Sequence, residues 1–125
     1  MQERVYEFEG SEKEKLKKLL SYDPYSDPSI DSKTLEELKS NKEANIIFAR
    51  QNCLIRDAAQ LGIEGGKLYL YIKANDDFIA AAEGKLAKDF PSMRRVAKDV
   101  EEKVVRLINE EESRSNYGVG LIFGG

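Results

Sequence analysis

The sequence predicts a single α+β (or α/β) domain over residues 1–125, with a mixed sheet of about four strands covered by helices in the order β-α-α-β-α-β-α-α-β. Three observations lead there. Lys67 to Ala74 alternates strictly, with Leu68, Leu70, Ile72 and Ala74 on one side and Tyr69, Tyr71 and Lys73 on the other, the period of a strand. Met93, Val96, Ala97, Val100, Val104, Leu107 and Ile108 form an apolar stripe at helical spacing over more than four turns. The last nine residues, from Tyr117 to Gly125, carry no charge, and Val119, Leu121 and Phe123 fall at period two. Such a segment is a bad fit to water, so the ending reads as a terminal strand in the sheet or against a partner.

The remaining elements follow in chain order. Arg4 to Phe8 has the aromatic and β-branched content of a first strand and stops at Gly10. Ser11 and Glu14 have capping-box spacing, and Leu16, Leu19 and Leu20 supply the apolar face of a helix ending near Tyr22. Residues 22–33 hold two Asp-Pro steps, which push the preceding residue out of the helical region, and read as a loop. Thr34 and Glu37 repeat the capping-box spacing ahead of a short helix with Leu35 and Leu38. Ile46 to Arg50 reads as a brief buried strand, and Leu54, Ile55, Ala58 and Leu61 as a helix capped by Asn52 and ended by Gly62. Gly65 and Gly66 form a turn before the alternating strand. Asn75 caps a helix carrying Phe78, Ile79, Ala82, Leu86 and Phe90, and Pro91 ends it.

Composition narrows the function classes. A hydrophobic fraction of 41% beside 34% charged residues is that of a folded globular chain. Twenty basic against 23 acidic residues, a net charge of -3, argue against a nucleic-acid backbone as the main partner. No apolar run is long enough for a membrane span and the interleaved Glu and Lys of the first residues do not read as a signal peptide, so we expect a cytoplasmic protein with no membrane partner. The chain has no histidine and a single cysteine, Cys53, which excludes an internal disulfide and the zinc sites built on His or several Cys. Imidazole-based catalysis is excluded as well. No metal and no cofactor is expected.

Four groups of residues offer chemistry. Arg50, Gln51, Asn52 and Arg56 cluster at an expected strand-to-helix junction, where α/β proteins bind ligands and a helix start suits an anion. Cys53 lies just inside that expected helix between two arginines, a setting that lowers a thiol pKa, although a free cysteine is more often a buried small hydrophobe. Asp23, Asp27 and Asp31 are spaced by four, unlike a calcium loop, and fit ordinary turn chemistry. Neither glycine pair, Gly65 with Gly66 or Gly118 with Gly120, leads from a strand into a helix as a phosphate loop does. Tyr69 and Tyr71, on the strand face opposite the core leucines, await a cover supplied by helices or by a second copy of the chain.

The run ARQNCLIRDAAQLG from Ala49 to Gly62, the strand LYLYIKA from Leu68 to Ala74 and the ending YGVGLIFG from Tyr117 to Gly124 resemble a small uncharacterised archaeal protein family of methanogens and thermoacidophiles. That resemblance implies a compact α+β fold and no assigned activity, so it supplies no catalytic residues. The resulting expectation is a self-associating interaction module rather than an enzyme, a homo-oligomer with Tyr69, Tyr71, Tyr117, Leu121 and Phe123 at its contacts. The alternative expectation is a small enzyme or anionic-metabolite-binding domain centred on Arg50, Gln51, Asn52 and Arg56.

Overall fold

The structure, a computed structural model, describes residues 1–40 and 46–124, and of residues 114–124 the backbone alone. Its strands are β1 (Gln2–Glu9), β2 (Asn52–Asp57), β3 (Lys67–Ala74) and β4 (Arg94–Arg95), and its helices α1 (Lys13–Ser21), α2 (Ser32–Ser40), α3 (Asp76–Asp89) and α4 (Lys98–Gly124). The strands form one sheet in the order β2-β3-β1-β4, and each neighbouring pair is antiparallel. The α+β class and the strand number are as expected, whereas the mixed sheet is not: the sheet is antiparallel throughout.

β1 and β3 form its centre, paired from Gln2 with Ala74 to Glu9 with Lys67. Because strand side chains alternate, each contributes to two separate cores. On one side Tyr6 and Phe8 of β1 join Leu68, Leu70, Ile72 and Ala74 of β3, covered by Leu16 of α1 and by Ile79, Ala82, Leu86 and Phe90 of the α3 region. The Phe8 and Phe90 rings meet edge to face at 5.3 Å, and the Lys15 ammonium sits 4.6 Å from the Phe90 centroid. On the other side Val5, Tyr69 and Tyr71 lie under Val104 and Ile108 of α4, with Ala58 and Leu61 beside them. A four-residue period along Val100, Val104 and Ile108 lays one stripe of α4 on the sheet.

The short polar signals act largely as expected. The Asn75 carboxamide oxygen accepts the Phe78 amide at 2.8 Å and caps α3. Gly62, Gly65 and Gly66 all have positive φ, and Gly62 closes a 3-10 turn over Ala58–Leu61. The Asp31 carboxylate accepts the Thr34 amide at 2.8 Å near the start of α2, while Asp23 and Asp27 accept from Tyr25 and Ser29 two residues on. The capping box at Ser11 and Glu14 does not form: a 3-10 turn over Gly10–Glu12 leads into α1, which begins without a side-chain cap.

Several segments take a different form from the one expected. Ile46 to Arg50 is no strand; a 3-10 turn over Phe48–Arg50 instead buries Phe48, whose ring meets Phe78 at 5.5 Å. Residues 52 to 61 are no helix, because Cys53 and Ile55 pack toward one core and Leu54 toward the other. A strand covered on both faces hides its period of two, and Ala58 and Leu61, three apart, meet through the tight turn. The helix expected from Met93 begins only at Lys98, since Arg94 and Arg95 pair with Glu7 and Tyr6 as β4. The ending is not a fourth strand either. α4 continues through it to Gly124, satisfying its backbone internally where a strand would need an open sheet edge.

The Tyr6 hydroxyl is fully buried and has no hydrogen-bond partner among the described residues. Burial, reinforced by the Glu83 charge, pushes its phenol up to about 12. The neutral phenol is the form the fold accepts, so the unfolded chain loses this proton first and stability falls as pH rises from 10.0 to about 12. Tyr6→Phe is expected to leave stability unchanged or raise it by about 1 kcal/mol and to remove this share of the alkaline loss. Urea unfolding at neutral and alkaline pH measures both, and destabilisation at neutral pH would mean that the hydroxyl has a partner.

Candidate interaction edge

The two margins of the sheet are built differently. At one margin β4 is two arginines long, and the adjoining backbone of β1 is further occupied: Val5 donates its amide to the Glu101 carboxylate at 3.2 Å and accepts the Val96 amide at 3.4 Å, and Glu9 donates to the Ser92 hydroxyl at 3.1 Å. Short length and charge are the usual devices against strand addition. At the other margin β2 offers six residues. Among the described residues it pairs with β3 alone, from Asn52 opposite Lys73 to Asp57 opposite Leu68. Alternate residues of an antiparallel strand turn N–H and C=O outward, and those of β2 meet no second strand among the described residues, although the Ile55 carbonyl accepts from the Arg56 guanidinium and the Asp57 amide donates to the Gln60 carboxamide, each at 2.8 Å.

The charges around β2 are already matched. Arg56 reaches Glu111 of α4 at 3.0 Å, Asp57 holds Lys13 of α1 at 3.0 Å, and Arg50 reaches Asp23 at 3.2 Å while lying over the Tyr25 ring at 5.1 Å. Arg50 and Ser26 together hold the Asp23 carboxyl below its ordinary range. Between these pairs the middle of β2, Cys53 to Ile55, has no charge, no proline and no bulge.

The cluster of Arg50, Gln51, Asn52 and Arg56 is thereby pulled apart. Arg50 turns to the loop beside the α1 and α3 layer, Arg56 to α4 across the sheet, Gln51 is half-buried and Asn52 exposed. No helix starts there, so the anion-binding geometry expected of a strand-to-helix junction is missing. Tyr69 and Tyr71 are 4% and 1% exposed beneath α4, and their hydroxyls donate to Glu7 at 3.3 Å and Glu3 at 2.5 Å. The chain's own helix is their cover, and contact with a second copy would have to displace it. The side chains of Tyr117, Leu121 and Phe123 lie outside the described residues. What sequence reasoning missed is the β2 edge itself; its signal was the uncharged triplet from Cys53 to Ile55 before a polar end.

No described helix is long and apolar enough to cross a membrane. No family model, curated protein or solved structure matches the chain.

Cys53 sits in a strand rather than at a helix start, packed against the larger core, and burial pushes its thiol up to about 12 from 9.0. Alkylation at neutral pH is expected to run two to three orders of magnitude slower than for an unfolded thiol, roughly the deficit in thiolate, and to become fast in urea. Labelling followed by mass spectrometry reads this directly, and equal rates in both states would refute the shielding of the half-buried thiol.

Proposed function

We propose that this protein is a self-associating interaction module in which β2 of one copy pairs with β2 of another. The observation that carries the reading is the contrast between the margins: the β4 side is two residues long, charged and hydrogen-bonded to its surroundings, whereas β2 is a six-residue, electrically matched strand that pairs with β3 alone among the described residues. Two antiparallel β2 strands related by a two-fold axis present the same residues to each other, and backbone hydrogen bonds join the two sheets into one. Since Arg56 and Asp57 are paired within their own chain, no uncompensated like charges confront each other across the seam.

Light scattering behind size exclusion is expected to show a species of twice the monomer mass that dissociates on dilution. Hydrogen exchange should slow at residues 53–57 as concentration rises. A strict monomer whose β2 amides exchange at the same rate at every concentration would end this reading.

A further inference from the structure

At the far side of the sheet from β2, a cleft of about 430 Å³ opens between the first turns of α4 and the β1/β4 margin, within the size range of small-molecule sites. Its floor is apolar, formed by the Tyr69 ring with Ile63, Val96 and Val100. Its rim is cationic: Arg94, Arg95 and Lys103 stand against one carboxylate, Glu7. Glu7 already accepts the Tyr69 hydroxyl, and Arg95 lies 3.9 Å from Glu101. Arg94 stands opposite Glu7 in the β1/β4 register, yet neither the Arg94 nor the Lys103 side chain makes an ion pair or hydrogen bond among the described residues. Other cations of the chain, such as Arg50, Arg56, Lys13 and Lys67, are held in ion pairs. What distinguishes Arg94 and Lys103 is that two unpaired cations line one cleft with an apolar floor, in a chain of net charge -3.

We propose that this cleft binds an amphipathic organic anion, with a carboxylate or phosphomonoester head between Arg94 and Lys103 and an aromatic or branched apolar body on the Tyr69 floor. The two cations belong to different elements, β4 and α4, and so can approach one head from two sides. The apolar floor supplies the second half of the recognition, because a bare inorganic anion would leave it wet and a neutral apolar molecule would leave the cations unmatched. Its cations stand on β4 and α4 and none of its lining residues belongs to β2, so it is tested separately from self-association.

Titration of the isotope-labelled protein with phenylacetate and phenyl phosphate, followed by amide NMR shifts, tests this. Saturable shifts are expected at residues 94–97 and 103, and whichever probe binds tighter identifies the head. Benzyl alcohol and inorganic phosphate, each carrying half of the recognition, should bind at least roughly tenfold more weakly. Arg94→Gln and Lys103→Gln, both at exposed positions, should each weaken the better probe by about threefold to tenfold while leaving the amide spectrum folded. The proposal is overturned if neither anionic probe saturates, if benzyl alcohol or inorganic phosphate binds as well, or if the double variant retains the affinity.

Discussion

The pairing of β1 with β3 is the constraint on which the rest of the molecule depends. Eight consecutive residues of each strand face one another, and both strands are buried on both sides, so their alternation generates two cores at once. A shift of one residue in this register would turn Leu68, Leu70 and Ile72 toward α4 and the two tyrosines toward α1 and α3, exchanging side chains of different size and polarity between the layers. The tyrosines add a polar check on the same register. They can be buried under α4 because Glu3 and Glu7 of β1 stand where their hydroxyls end.

Once this pair is set, the two margins follow from what the neighbouring chain can offer. After α3 the chain has only Arg94 and Arg95 to lay beside β1 before α4 begins, and side chains of Ser92 and Glu101 complete the hydrogen bonding there. That arrangement ends strand addition on one side and, by holding the start of α4 close to β4, walls the cleft containing Arg94 and Lys103. On the other side β2 has more backbone and fewer obstructions, and its flanking charges are consumed by α1, α4 and the Asp23 loop. The same electrostatic matching that makes β2 a neutral edge takes Arg50 and Arg56 away from any shared ligand.

The parts of the fold legible in the sequence are those whose signal is local. The alternation in β3, the Asn75 cap, the Gly62 and Gly65-Gly66 turns and the apolar stripe of α4 from Val100 onward appear where residue types place them. The candidate edge was much less legible. Leu54, Ile55, Ala58 and Leu61 match a helix pattern as well as they match a doubly covered strand followed by a tight turn, and only the position of β3 alongside separates the two. The cleft was hidden for a similar reason: Glu7, Tyr69, Arg94 and Lys103 come from four elements and share no spacing in the chain.

By itself, then, the sequence determined an α+β domain, the central strand, the helix bearing the long apolar stripe, and the exclusion of histidine and disulfide chemistry, because each depends on residue identity or near-neighbour periodicity. Only the tertiary structure decided that the sheet is antiparallel throughout, that the tyrosine face is covered by the chain's own α4, that residues 52 to 57 form an edge, and which charges remain unmatched. Strand partners, burial from a distant helix and ion pairs such as Arg56 with Glu111 are set by contacts between residues far apart in the chain. Their energies do not enter any window of local sequence.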